Sequence, residues 1–231
     1  MRYNSLAFSL TYIKYKEHSI ISKLFTREMG VQSFIVNGVR KKNSKKNLNF
    51  FKPLQLLNIC GVYSNKNGLQ RLEDISYYNN HFLKNKSMYN RFVEMFISDV
   101  LAKTLKENQQ EVDIFNYILK IKKDLDGILT PNYSINFLIN LSSFFGFLPS
   151  NDNDSGIYFD LDKGVFVDEE SSTTINGNLS SSLKELILNP NASISYTVRN
   201  ELLHLMIKYF KCQNHEIKNL NSHLIFESLR V

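Results

Sequence analysis

Apolar and polar positions alternate along the first third of the chain with the period of two that is typical of strands. Between about residues 5 and 14, Leu6, Phe8, Leu10 and Tyr12 fall on one face. Four more short runs rich in apolar and β-branched residues follow, at about 20–25, 31–39, 54–63 and 69–78. Five short strands with a small core predict a compact barrel, and the OB-fold is the commonest barrel of this kind.

After residue 85 the apolar positions recur with a helical period. Met88, Phe92, Met95 and Phe96 begin one apolar stripe, which predicts a helix reaching Leu105. Similar stripes predict a helix from residue 112 and another over about 135–145, which Gly146 and Pro149 end. We therefore expect an α-helical domain after the barrel.

A turn-rich stretch interrupts the helical part. Residues 156–170 predict a β-hairpin around Asp162-Lys163-Gly164. Helices resume at Ser182, which forms a capping-box pattern with Glu185, and a short last helix is expected over 221–230. The fold class is thus α+β, with an N-terminal five-stranded OB-fold barrel over 1–82 and an α-helical domain over 83–231 that carries a β-hairpin near 150–179.

Composition favours a folded, cytoplasmic protein. The 231 residues are 43% hydrophobic, which is enough for a sizeable core. The two cysteines, Cys60 and Cys212, are too few and too far apart for a disulfide framework. No apolar run approaches the length of a membrane span, and charge returns by Lys14, so we expect neither a signal peptide nor membrane association.

Charge is unevenly distributed around the net value of +6. Residues 1–60 contain eleven Lys and Arg against Glu17 and Glu28, a net of +9. Residues 150–170 contain seven acidic residues against Lys163, a net of −6. A basic first part and an acidic later segment suggest two regions with different roles.

The densest positive charge lies in residues 37–53, between two predicted strands, and Phe50 and Phe51 follow it. A basic groove binds phosphates and aromatic rings stack on bases, so this pattern predicts nucleic-acid binding with little sequence preference. The alternative is a solvated loop that only aids solubility, and at least one of the two phenylalanines is expected in the core. The predicted nucleic-acid-binding residues are Lys14, Lys16, Arg27, Arg40, Lys41, Lys42, Lys45, Lys46, Phe50 and Phe51.

Two other patterns are compatible with metal chemistry. Asp160-Leu161-Asp162 could hold a divalent cation, so a metal-dependent nuclease or phosphotransferase using the carboxylates of 152–162 is an alternative function. Cys212 and His215 have a ligand-like spacing, but no second pair completes a zinc site. Neither a P-loop nor a nucleophile elbow is present. We expect no cofactor and favour a binding protein; an RNA-binding OB protein is a third possibility.

Six segments along the chain together resemble the DNA repair protein RecO family, in particular its short members from Bacteroidota. They are LFTREMG (24–30), NGVRKKNSKKN (37–47), FKPLQLL (51–57), FFGFLP (144–149), FDLDKGVF (159–166) and YFKCQNHEIKNLNS (209–222).

The resemblance implies a recombination mediator that acts at the nucleoid, without ATP hydrolysis, and is a monomer when alone. Such proteins bind single- and double-stranded DNA, anneal complementary strands and, with RecR, help to load RecA onto strands covered by single-stranded-DNA-binding protein (SSB). The four-cysteine zinc site of some members is absent, since no cysteine lies between Cys60 and Cys212. For the pocket that binds the acidic C-terminal tail of SSB, Lys120, Lys122 and Lys123 are the nearby candidates.

Overall fold

The computed structural model describes residues 2–39, 46–63, 68–78, 87–150, 155–215, 217 and 220–224. The chain divides into two compact units, Met1–Gly127 and Ile128–Val231. The first unit contains β1 (Arg2–Tyr15), β2 (Ser19–Thr26), β3 (Gly30–Val36), the 3-10 helix η1 (Leu48–Phe51), β4 (Leu56–Val62), β5 (Leu69–Tyr77), α1 (Met88–Thr104) and α2 (Val112–Asp124).

The five strands close into a barrel in the order β1-β2-β3-β5-β4, with all pairs antiparallel except β3–β5. Strand β1 is long enough to pair with two neighbours. Its first half pairs with β4, from Arg2 opposite Val62, and its second half pairs with β2, ending with Tyr15 opposite Ser19. A register shift between Ser9 and Thr11 lets the strand bend between the two. The predicted five-stranded barrel followed by helices is confirmed.

Helix η1 packs against β1 and β5 and contributes two phenylalanines to the barrel core. Phe50 and Phe51 are 9% and 1% exposed, and the Phe50 ring lies 4.5 Å from that of Tyr77 on β5. A barrel of five short strands has a small core, so two large rings from outside the sheet add much of its apolar contact. The core cluster also contains Ala7, Ile20, Leu24, Phe34, Val36, Val39, Leu57, Ile59, Leu72 and Ile75.

Helix α2 packs on the outer surface of β1 and β2 through Phe115. The Phe115 ring of α2 lies 5.0 Å from that of Phe8 and 5.3 Å from that of Phe25. Strand β1 is therefore buried on both sides, with Ala7 in the barrel core and Phe8 against the helix. Because α1 and α2 pack on the barrel, the first compact unit extends to Gly127, past the boundary at residue 82 that we expected.

The second unit contains a helical core and the predicted β-hairpin, whose strands pair with Phe159 opposite Phe166. Helix α4 starts earlier than expected: its N-cap is Asn176, whose Oδ1 accepts a hydrogen bond from the Leu179 N–H (2.9 Å). Ser182 therefore lies inside the helix, and the capping-box prediction was wrong. The elements are α3 (Tyr133–Phe144), β6 (Tyr158–Asp160), β7 (Val165–Val167), α4 (Gly177–Leu188) and α5 (Tyr196–Cys212).

The expected last helix over 221–230 falls mostly outside the described residues. None of the helices in the described ranges is long and apolar enough to cross a bilayer.

Candidate nucleic-acid interface

The β1–β2 turn and the loop that follows β3 lie at the same end of the barrel. Tyr15 pairs with Ser19 at the turn, and Ile20 pairs with Val36 at the end of β3. The Ser19 hydroxyl also donates to Asn37 Oδ1 (3.0 Å), which joins the turn to the first residue after β3. The cations of the turn thus lie at the end of the barrel where the basic loop starts.

We call the described lysines at this end the basic rim: Lys14 and Lys16 at the β1–β2 turn, and Lys46 and Lys52 flanking η1. Lys14, Lys16 and Lys52 are exposed. Lys16 has a left-handed backbone (φ 52°), and its Nζ lies 5.4 Å from the centroid of the Tyr15 ring. Three exposed ammonium groups at one end of a barrel can contact phosphates without reading bases.

The basic loop is fixed to the barrel at both of its described ends. Val39 is 3% exposed within the barrel core, and Lys46 Nζ donates to the Leu72 carbonyl of β5 (2.8 Å). The segment between them therefore begins and ends at the basic rim. Four predicted DNA-contacting residues lie in this segment, outside the described residues: Arg40, Lys41, Lys42 and Lys45.

Lys46 is an anchor of this loop as well as a cation of the rim. Burial lowers the pKa of the Lys46 ammonium, while the Asp74 carboxylate opposes that shift and Arg71 adds to it. Arg71 itself is exposed on β5, opposite Ile35 of β3. Sequence reasoning missed Arg71 because a single arginine in a strand carries no local signal; only the β3–β5 pairing brings it near Lys46.

Arg27 is not part of the basic rim. It lies on the β2–β3 turn, where its N–H donates to the Leu6 carbonyl (3.0 Å), at the opposite end of β2 from Lys16. Eight strand residues separate the two ends by about 25 Å. The structure therefore does not bring Arg27 together with the other predicted DNA-contacting residues.

The prediction that Phe50 and Phe51 stack on bases was wrong. Both rings are buried in the barrel core, so neither has a free face for a base. Tyr12, near the same end of β1, is 40% exposed, although the sequence alternation assigns it to the apolar face of the strand.

The prediction that Lys122 binds an acidic tail was also wrong. It is 3% exposed, and its Nζ pairs with Glu94 Oε1 of α1 at 2.7 Å. The sequence carried a signal for this, since Lys122 is seven residues after Phe115, on the apolar stripe of α2. Lys120 and Lys123 are exposed on the same helix and stay predictions.

The Asp160 carboxylate shapes the turn of the hairpin. It is 2% exposed, Oδ1 accepts from the N–H groups of Asp162 (2.9 Å) and Lys163 (3.0 Å), and Oδ2 accepts from Thr173 Oγ1 (2.9 Å). Burial alone raises the pKa of Asp160, but these hydrogen bonds outweigh burial and hold the pKa below its ordinary value. Protein donors thus already occupy both oxygens of this carboxylate.

Within the described ranges no group of three or more His, Cys, Asp or Glu could hold a metal ion; Asp152 and Asp154 lie outside those ranges. The histidines near the C-terminus make ring contacts. His215 stacks on Phe145 with a centroid distance of 4.4 Å, and His204 lies edge-on to His223 at 4.9 Å.

A closed five-stranded barrel with a basic end, followed by helices, defines an OB-fold protein with an appended helical region. The family model "Recombination protein O N terminal" matches residues 1–80. The chain is 30% identical to the DNA repair protein RecO of Azobacteroides pseudotrichonymphae over 181 residues, which cover 75% of this chain and 73% of the relative. It is 26% identical to that of Flavobacterium psychrophilum over 91% of both chains, and 23% identical to that of Christiangramia forsetii over 91% and 92%. The chain belongs to the RecO family.

Proposed function

We propose that this protein is a recombination mediator of DNA repair, which binds single- and double-stranded DNA and anneals complementary strands. The observation that carries the proposal is the basic rim, situated at the end of the OB-fold barrel where the basic loop begins and ends. Membership of the RecO family, whose relatives are named as DNA repair proteins, supports the same assignment.

The mechanism follows from charge. Two DNA strands repel each other, and a cationic surface that contacts both lowers the free energy needed to bring them together. Each phosphate that a lysine or arginine neutralises releases counterions, so binding is expected to weaken steeply as salt is added. Because these contacts go to phosphates, annealing is expected to work on strands of any sequence.

The proposal includes two protein partners, both implied by the family. Exposed cations such as Lys120 and Lys123 are candidates for contact with the acidic tail of SSB. RecR is the second partner, with which the protein helps to load RecA. We further propose that the protein is a monomer alone, acts in the cytoplasm at the nucleoid and uses no ATP, cofactor or catalytic residue.

The decisive experiment is strand annealing without ATP, with two complementary oligonucleotides coated by the cognate SSB, across a salt series. Fast annealing that declines with salt supports the mediator. If bare strands anneal but coated strands do not, DNA binding stands and the SSB contact fails. If neither pair anneals, the proposed function is wrong.

Two controls address the alternative functions. Incubation of labelled DNA with the protein and Mg²⁺ tests for a nuclease: cleavage products would support an enzyme that uses the carboxylates of 152–162. Because the Asp160 carboxylate already accepts hydrogen bonds that form the hairpin turn, we expect the DNA strands to stay intact. A side-by-side titration with DNA and RNA of the same sequence tests for an RNA-binding protein, for which RNA would bind more tightly.

A further inference from the structure

A cavity of about 240 Å³ opens beside the basic rim, between β1, η1 and α1. Tyr12 of β1 and Pro53, which follows η1, line it together with Leu10, Phe51 and Met95. Its lining is thus largely apolar and includes one exposed aromatic ring. Clefts for drug-sized ligands measure about 300–1,000 Å³, so this cavity suits a smaller group.

The Tyr12 ring is available to a ligand. It is 40% exposed, and within the described part of the chain its hydroxyl has no hydrogen-bond partner and its ring contacts no other aromatic ring. An exposed tyrosine is an amphipathic surface that stacks well on planar groups. The neighbouring Phe51 is 1% exposed and can form only the floor of the cavity.

Two exposed lysines are close in sequence to lining residues of the cavity. Lys14 is two residues after Tyr12 in β1, so both side chains leave the same face of the strand. Lys52 lies between the lining residues Phe51 and Pro53 in the chain. Both lysines are exposed, and neither forms an ion pair with a described residue. An apolar cavity with exposed cations nearby suits a base whose strand carries phosphates on either side of it.

Asp99 is the lining residue that could oppose nucleic acid. Its carboxylate pairs with Lys103 Nζ at 2.8 Å, one turn along α1, which offsets its negative charge. A carboxylate oxygen at the edge of the cavity can also accept a hydrogen bond from a base, since bases present N–H groups on their edges.

We propose that this cavity binds one unpaired base of single-stranded DNA, which stacks on the Tyr12 ring. The inference rests on the proposed function, because it assumes that DNA lies along the basic rim. It adds a contact that duplex DNA cannot make, since paired bases stay stacked on their neighbours inside the helix. The base stack at Tyr12 therefore favours single strands over duplexes.

The test compares three ligands: an oligothymidylate, an abasic oligomer with the same number of phosphates, and a duplex of the same length. The variant Tyr12→Ala is expected to weaken oligothymidylate binding by roughly 5- to 150-fold, the range typical of one stacked base. Its affinity for the abasic oligomer and the duplex should equal that of the parent protein. Tyr12→Phe keeps the ring and should bind all three ligands as the parent does.

Tyr63→Ala is the matched control. Tyr63 is 45% exposed, similar to Tyr12, but follows β4 near the Arg2–Val62 pair, away from the cavity. It should bind all three ligands as the parent does. Thermal unfolding of each variant checks the fold.

The inference is overturned if Tyr12→Ala leaves the affinity for oligothymidylate unchanged, or lowers the affinity for the abasic oligomer by the same factor. In either case the parent protein would still bind DNA, so the proposed function would stand. A parent protein that binds none of the three ligands would overturn both.

Discussion

Lys122 Nζ and Glu94 Oε1 form an ion pair of 2.7 Å between α2 and α1, with the two side chains 4% and 13% exposed. Both helices also bury apolar residues, such as Val93 in α1 and Ile121 in α2. Removal of either charge breaks this pair and leaves the other charge in a poorly hydrated position, which is destabilising. The pair joins α1 to α2 within the first compact unit.

We predict that Lys122→Ala lowers the free energy of unfolding by about 3–5 kcal/mol, because it removes the ion-pair contact of a Glu94 carboxylate that is only 13% exposed. Urea denaturation of the full chain at neutral pH measures the change. Lys123→Ala is the matched control: Lys123 is exposed on the same helix, so its loss should cost less than about 0.5 kcal/mol. Equal effects of the two substitutions would contradict the structural role.

The low pKa of Asp160 predicts a pH-dependent contribution to stability. Since the folded-state pKa lies below the ordinary value of 3.8, the contribution is fully present above pH 3.8 and is lost as pH falls through the folded pKa. Asp160→Asn should therefore reduce the free energy of unfolding by about 1–2 kcal/mol at pH 7. The difference in free energy of unfolding between this variant and the parent should become smaller below pH 3.8.

Urea denaturation at a series of pH values checks this, with Glu169→Gln as the control. Glu169 is exposed beside the same hairpin, so its loss should change neither the stability nor its pH dependence appreciably. A difference between Asp160→Asn and the parent that stays constant down to acidic pH would show that ionisation of Asp160 does not stabilise the fold.

The five strands could be predicted from sequence because alternation is a local property, and most bounds were within a few residues. The burial of both Phe50 and Phe51 could not be predicted in this way, since it depends on how η1 packs on the barrel. The exposure of Tyr12 could not be predicted either. Tyr12 continues the alternation of Phe8, but the register shift after Ser9 changes the surroundings of its side chain. Local pattern specifies elements, while the depth and partners of a side chain depend on contacts between distant segments.

The same reasoning gives a prediction for η1. Phe51→Ala should lower the free energy of unfolding by about 3–5 kcal/mol through the cavity that it leaves in the barrel core. Leu48→Ala, in the same short helix but 38% exposed, should cost much less. Denaturation measures both, and DNA titrations of the folded protein complete the test. A Phe51→Ala protein of unchanged stability but weaker binding to single strands would restore Phe51 as a stacking residue.

The last prediction concerns the basic loop. Replacing Arg40, Lys41 and Lys42 by Glu should weaken binding to all DNA sequences, because phosphate contacts are lost. For single strands, the logarithmic slope of affinity against salt should become shallower by about 2 if each cation contacts one phosphate. Arg27→Glu is the control at the opposite end of β2, about 25 Å from Lys16. It should leave the slope nearly unchanged. Fluorescence anisotropy measures both slopes, and an unchanged slope for the triple variant would remove the loop from the mechanism. A large effect of Arg27→Glu would instead indicate that DNA lies along the length of the barrel rather than at its rim.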